Sequence, residues 1–339
     1  MKAVGLHRYL PIDHPESLLD LEVDTPVAKG RDLLLDVRAV SVNPVDTKRR
    51  AGTPATRDKT EDPARILGWD GAGVVKACGP EARLFKPGDE VYWAGSVIRQ
   101  GSNSQFQLVD ERIVGRKPKS LDFAHAAALP LTTLTAWELM FDRMGIAKSL
   151  DRAGARDAGK RVLILAGAGG VGSIAIQVAK TLAHLHVIAT ASRPESAAWA
   201  KAMGADEVVD HRDLKVDEVD YLLIFASTDL YWPMIPKLVK PQGKVGLIVR
   251  PTKPVDLTLL HDKSITACLE GMFTRSIYQT PDMQAQHALL TEAAGLVDAG
   301  VLQSTFKENL GRINAENLKA AHRRLEAGRE VGKLVLEGW

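Results

Sequence analysis

The chain has 339 residues, 45% of them hydrophobic and 25% charged, with a formal net charge of +2. A length of this order suggests about two domains of ordinary globular composition. The small net charge, without a basic block or an aromatic-interleaved basic stripe, excludes a nucleic-acid partner. No uninterrupted apolar stretch is long enough to cross a bilayer, which excludes a membrane span. Met1 to Leu6 has no signal-peptide apolar region, and two cysteines, Cys78 and Cys268, supply no disulfide framework. Both features lead to the expectation of a cytoplasmic protein.

Taken in chain order, residues 1 to about 130 show short alternating apolar runs broken by turns, at 33–40, 71–75, 89–93 and 104–109. Pro-Gly and Gly-Pro pairs such as Pro87-Gly88 and Gly79-Pro80 mark the turns, so this part is predicted to be β-rich and barrel-like. From about 131 the rhythm becomes helix and apolar strand in alternation, with strands at 161–166, 186–191, 220–226 and 244–249. That alternation implies a parallel sheet covered by helices. Helices are predicted at 282–300 and 314–327, followed by a last strand at 332–337 that has no place in a doubly wound sheet and is free to return to the β-rich part. The resulting fold class is α/β, a β-rich domain plus a doubly wound parallel-sheet domain.

The most informative segment is Arg161 to Lys180, which reads as a buried strand, the turn Gly167-Ala168-Gly169-Gly170-Val171-Gly172, and a helix. This is the dinucleotide-binding pattern. Gly167 permits the tight turn, Gly169 lets the backbone approach a pyrophosphate, and Gly172 lets helix and strand pack closely. The helix start, with Gly170 and Val171, presents free N–H groups to the phosphates. About 20 residues on, where an NAD-binding chain places an acid for the ribose 2′-hydroxyl, this chain has Thr190-Ala191-Ser192-Arg193. Thr190, Ser192 and Arg193 accept a 2′-phosphate that a carboxylate would repel, so the expected cofactor is NADPH. The alternative for Arg193 is a solvated residue opening the next helix, capped by Ser192. Lys201 and His211 are further candidates for the same phosphate.

Several other segments, Ser41-Val42-Asn43-Pro44-Val45-Asp46, Leu67-Gly68-Trp69-Asp70-Gly71-Ala72-Gly73, Phe85-Lys86-Pro87-Gly88-Asp89 and Ala127-Ala128-Leu129-Pro130-Leu131-Thr132-Thr133, combine with the glycine turn. Over nearly its whole length the chain resembles the medium-chain dehydrogenase/reductase superfamily, in its quinone oxidoreductase-like, zinc-type alcohol dehydrogenase-like branch. The resemblance implies a GroES-like catalytic domain at 1–130 and 270–339, and a Rossmann cofactor domain at 131–269, with the active site in the cleft between them. It also implies a homodimer formed by edge strands of the cofactor domains, in the region of 244–249 and 254–268.

Zinc-dependent members take ligands from a Cys where this chain has Asn43, a His where it has Trp69, and a Cys near Leu131-Thr132-Thr133. Amide, indole and hydroxyl groups do not replace them, and no cysteine between Cys78 and Cys268 supplies a structural zinc lobe. His184 and His186 have no third ligand nearby, so no metal is expected. The resemblance then implies a zinc-independent, NADPH-dependent oxidoreductase reducing quinones or α,β-unsaturated carbonyls. A zinc alcohol dehydrogenase and a non-catalytic NADPH-binding redox sensor remain as alternatives.

In the loop that zinc would occupy, Asn43, Thr47 and Lys48 are the candidates to stabilise charge on a substrate carbonyl. The competing readings are a turn initiator for Asn43-Pro44, and a surface or capping carboxylate for Asp46. Trp69 and Trp93 are candidate aromatic walls of the substrate pocket, with core packing as the alternative, and Asp70 is expected to tie down Arg49 or another loop arginine. Thr132, Thr133 and Thr135 are placed toward the cofactor. Phe225, Ala226 and Ile248 end strands on the ligand side. Lys333 and Arg329 are expected to reach the adenosine phosphate.

Overall fold

In the computed structural model, which describes residues 1–56 and 58–339, the chain divides into two units, Met1–Leu131 with Phe273–Trp339, and Thr132–Met272. The strands of the first stretch are β1 (Lys2–Arg8), β2 (Leu19–Glu22), β3 (Asp32–Ser41), β4 (Thr60–Ile66), β5 (Gly71–Cys78), β6 (Glu90–Trp93), β7 (Phe106–Asp110) and β8 (Val114–Arg116). Those of the second unit are β9 (Arg161–Leu165), β10 (His186–Thr190), β11 (Glu207–Val209), β12 (Val219–Ile224), β13 (Val239–Leu247) and β14 (Thr266–Leu269). The last two, β15 (Phe306–Asn309) and β16 (Lys333–Glu337), belong to the first unit.

The first unit is the GroES-like β-rich domain. It holds a three-stranded sheet, β2-β1-β4, and a larger sheet in the order β15-β16-β3-β5-β6-β8, with β7 also pairing β3. Its spine is β3, whose Leu33, Leu35, Val37 and Ala39 are buried on one face, with Leu34, Val40 and Ser41 buried as well. The C-terminal strand joins this sheet: β16 runs antiparallel to β3, with Val335 opposite Ser41 and Leu336 opposite Val40. Backbone Val42 N–H donates to Leu334 O at 3.1 Å and Ser41 Oγ donates to the same oxygen at 3.0 Å. This pairing brings Lys333, the first residue of β16, to the loop that follows β3.

The second unit is a Rossmann-type sheet of six parallel strands in the order β11-β10-β9-β12-β13-β14. Val162 to Leu165 and Leu222 to Ile224 are fully buried, as expected for strands covered on both faces. The order reverses between β9 and β12, and the crevice outside the carboxyl ends of these strands is where this topology binds ligands. Of the six strands, β11 and β14 are not predicted from the sequence. With three and four residues they are too short to show a period. Also unforeseen is the Pro44–Ala51 helix, which the sequence presents as a polar loop. Among the described residues no helix is long and apolar enough to cross a membrane.

Candidate functional site

In the second unit, the turn after β9 is built by contacts that only small residues tolerate. Ala166, not Gly167, adopts the left-handed conformation, with φ of 62°. Gly167 is required because a Cβ there would lie 2.7 Å from the Ala189 Cβ on β10. A Cβ on Gly172 would come within 2.3 Å of Ala166 O and 2.6 Å of Gly167 O, so this glycine allows the helix to seat on the turn. At Gly169 a Cβ would meet only Ala166 O at 3.5 Å, which leaves its outer side open.

The helix that follows, Gly170–Thr181, starts at Gly169 with no capping side chain. Its first-turn N–H groups, on Gly170, Val171 and Gly172, lack intrahelical partners by construction, and they sit at the positive end of the helix dipole. An open glycine, uncapped N–H groups and a position at the switch point together fit a dinucleotide pyrophosphate.

Thr190 closes the turn rather than standing apart from it. Its Oγ1 accepts from Ala166 N–H at 2.9 Å, and its carbonyl accepts from Gly167 N–H at 3.1 Å. Ser192 follows β10, and Arg193 is itself the N-cap residue of the Pro194–Ala202 helix, so Ser192 does not cap it. The capping hydroxyl belongs to Ser196, whose Oγ accepts from Arg193 N–H at 3.2 Å. No acid stands in Thr190 to Arg193. Lys201 donates to Asp206 O. His211 is exposed and lies 3.8 Å from Asp210, whose carboxylate is engaged by Arg212. Phe225, Ala226 and Ile248 directly follow β12 and β13 at the carboxyl edge of the sheet. Thr133 lies on the Pro130–Trp137 helix, buried, with Thr132 and Thr135.

In the first unit, the Pro44–Ala51 helix forms from strong local signals. Asn43 occupies the N-cap position, Pro44 the first helical position, and Asp46 returns its Oδ2 to Asn43 N–H at 2.6 Å. Lys48, Arg49 and Arg50 lie in the last turn, and Gly52, at φ of 71°, ends the helix by donating its N–H to Lys48 O.

Asn43 is the centre of a buried polar cluster. Its Nδ2 donates to Asp70 Oδ2 at 2.7 Å and reaches toward Ser41 O at 3.5 Å, and its Oδ1 accepts from Lys333 Nζ at 2.5 Å. Lys333 is 3% exposed and also donates to Val42 O at 2.8 Å, with Asp70 Oδ2 at 3.0 Å. Asp70 Oδ1 accepts from Leu131 N–H at 2.7 Å.

These contacts correct the expectations for Lys333, Asp70 and Thr47, and favour one of the two readings of Trp69 and Trp93. Lys333 does not wait for an adenosine phosphate, because its ammonium is enclosed by three oxygens of its own unit. Asp70 ties down Lys333, Asn43 and Leu131, not Arg49. Thr47 spends its hydroxyl proton on Pro44 O at 3.0 Å and so does not join Asn43 as a donor, while Lys48 lies exposed on the same helix. Trp69 and Trp93 are core residues rather than pocket walls. Trp93 is 0% exposed, donates Nε1–H to Gln107 Oε1 at 2.7 Å, and lies over Gly71, where a Cβ would be 2.6 Å from its ring. Trp69, equally buried, donates to Ser96 O and meets the edge of Phe273.

Asp46 is the residue that the sequence understated. It caps the helix, as one reading allowed, but it is buried, and its Oδ1 has no hydrogen-bond partner among the described residues. Burial pushes its carboxyl up to about 7 and the charge of Asp70 adds to this, against the opposing pull of Asn43 N–H and Lys333. Burial also raises Asp70, opposed first by Lys333 and then by Asn43 and Leu131. The signal available in the sequence was an acid at the third position of an Asn-Pro helix start. Nothing local indicated that this carboxyl would be buried.

The cluster does not suit zinc. The Asn43 amide oxygen is held by an ammonium, and the Trp69 indole is a donor without a lone pair to offer. His184, at φ of 54°, contacts Ser149 O while His186 contacts Glu207, so these two histidines do not converge. Among the described residues no three His, Cys, Asp or Glu side chains are placed to hold a metal ion.

Comparison with known proteins matches residues 29–119 to the alcohol dehydrogenase GroES-like domain and residues 203–336 to the zinc-binding dehydrogenase family. A zinc-type alcohol dehydrogenase-like protein of Staphylococcus aureus (strain COL) is 41% identical over 342 residues, 99% of each chain. The chain belongs to the medium-chain dehydrogenase/reductase superfamily. A human mitochondrial NAD(P)H oxidoreductase is 31% identical to this dehydrogenase/reductase chain, across 90% of it and 81% of the human protein. A solved structure from Rhizobium etli, described as a candidate zinc-dependent alcohol dehydrogenase, superposes with a TM-score of 0.91 at 46% identity, covering 100% of this chain and 98% of that one. The medium-chain dehydrogenase/reductase chain is thus an oxidoreductase by family, whatever metal its relatives' names carry.

Proposed function

We propose that this medium-chain dehydrogenase/reductase is a zinc-independent, NADPH-dependent reductase of quinones or α,β-unsaturated carbonyls. The observation that carries this reading is the Asn43 amide, held by Lys333 and Asp70 where a metal-using relative places a ligand. When bound, the nicotinamide supplies a hydride, the chemistry that no side chain provides. The uncapped turn at Gly167 to Gly172 holds the pyrophosphate. Thr190, Ser192 and Arg193, with no carboxylate among them, favour a 2′-phosphate. The names of the relatives support a nicotinamide cofactor and leave the choice between NADPH and NADH to these residues.

On the substrate side, Asn43 offers the N–H that is not committed to Asp70. That hydrogen reaches Ser41 O only at 3.5 Å, a long contact within a buried cluster, and it is the donor we assign to a carbonyl oxygen on which negative charge develops. In the second unit β14 is an unpaired sheet edge with Thr266, Ala267 and Leu269 exposed, which supports a homodimer through that edge. A cytoplasmic location agrees with two unpaired cysteines.

The test is consumption of NADPH by metal-analysed protein across quinone and enone acceptors, for the native chain and for Asn43→Ala. Turnover without zinc, lowered in Asn43→Ala more than NADPH affinity is, supports the proposal. One equivalent of zinc, needed for turnover, moves the chain to the alcohol dehydrogenases. Tight NADPH binding without turnover on any acceptor leaves a redox sensor.

A further inference from the structure

A buried ammonium is costly unless every proton on it is matched, and at Lys333 all are. The three donors of Nζ meet three oxygens: Val42 O at 2.8 Å, Asn43 Oδ1 at 2.5 Å and Asp70 Oδ2 at 3.0 Å. This arrangement also fixes which way the Asn43 amide points. Turning the amide over would set its NH₂ against the ammonium and its oxygen against the Asp70 carboxylate, two repulsive contacts in place of two attractive ones. The amide is held from each side, by the Lys333 ammonium at Oδ1 and the Asp70 carboxyl at Nδ2, electron density being drawn toward Oδ1 by the cation.

We propose that Lys333 is a positioning residue of the reductase reaction, one that acts through Asn43 by orienting its amide and strengthening the N–H that Asp70 leaves over. This rests on the assignment of Asn43 as the donor to the substrate carbonyl. It gives a reason for a full positive charge at the start of β16, where an ordinary strand residue would satisfy the sheet. Lys333 itself needs no contact with substrate, cofactor or phosphate.

A double-mutant cycle between Asn43→Ala and Lys333→Gln tests it, with kcat expressed per nucleotide-binding site so that unfolded protein does not count. Lys333→Gln keeps a donor for Asn43 Oδ1 but removes the charge. The expected result is a fall in kcat of roughly tenfold or more, equal for NADPH and NADH, with the affinity for both unchanged. Adding Lys333→Gln to Asn43→Ala then costs nothing further, because the residue that transmits the effect is gone. An independent readout needs no turnover: the side-chain amide resonances of Asn43 shift in Lys333→Gln, in the protein without nucleotide. Lys333→Met serves as a second variant if the glutamine protein folds poorly. Additive losses in the double variant, or unshifted Asn43 resonances, overturn the proposal while leaving Asn43 in its role. A loss confined to NADPH overturns it in favour of a phosphate contact. An Asn43→Ala protein with native turnover overturns the parent assignment and this inference with it.

Discussion

The glycine turn of the second unit and the Asn43–Asp70–Lys333 cluster of the first are made in opposite ways. The turn is local: within Ala166 to Gly172 the backbone must pass so close to itself and to β10 that side chains are excluded, and the ligand-facing groups are main-chain N–H. The cluster is assembled from residues 43, 70, 131 and 333, and every important atom in it belongs to a side chain or meets one. A site made of backbone tolerates no added atoms, whereas a site made of buried charge tolerates no unmatched ones. The two regions should therefore fail differently when altered.

The largest effect is expected in the turn. In Gly172→Val the new Cβ would fall 2.3 Å from Ala166 O, where only backbone could move, and chemical denaturation should report a loss of several kcal/mol together with lost nucleotide binding. Gly169→Ala is the contrasting case. Its Cβ meets nothing closer than 3.5 Å, so the denaturation midpoint should stay near that of the native chain while NADPH affinity drops. If both variants unfold alike, the open side of Gly169 is not a ligand face.

In the cluster the expected signature is a pH dependence. Asp46 titrates near 7 in the folded chain against 3.8 ordinarily, so folding favours its protonated form. That contribution is complete below about pH 4 and is lost as pH rises through about 7. Asp46→Asn keeps an acceptor for Asn43 N–H and removes the titration. Relative to the native chain the variant should gain a few kcal/mol on going from about pH 5 to about pH 8. Glu270, whose carboxyl burial lifts to about 8, contributes with the same sign in both proteins and cancels from the difference. Parallel pH profiles for the two proteins would place the Asp46 charge in contact with water.

The smallest effect belongs to the cofactor's outer end. Arg193→Ala should weaken NADPH by ~1.5 to 3 kcal/mol, the size of a charge-assisted hydrogen bond, and leave NADH unchanged. Equal weakening of both cofactors would remove Arg193 from the 2′-phosphate.

This difference between the regions also explains what could be read from the chain. Gly167, Gly169 and Gly172 announce themselves because close backbone approach imposes a residue type at fixed spacing, and the buried strands β9, β10, β12 and β13 announce themselves by continuous apolar runs. Even there, the left-handed residue proved to be Ala166, since a packing requirement and a dihedral requirement both select glycine in sequence. Asn43 was legible through its motif, but Lys333, nearly three hundred residues away, was not: only the β16–β3 register brings it to Asn43. Trp69 and Trp93 stayed open between pocket wall and core in the sequence because an aromatic near a site looks the same whether its indole N–H faces a ligand or Gln107. Asp46 looked like any capping carboxylate, since burial by distant parts of the chain leaves no mark on its neighbours in sequence.

The most direct measurement is a fluorescence titration of the purified, metal-analysed protein with NADPH and then with NADH. Tight, selective NADPH binding by protein carrying no zinc is the expected result. Preference for NADH, or an equivalent of bound zinc per chain, would contradict both the Thr190–Arg193 assignment and the metal-free Asn43 centre.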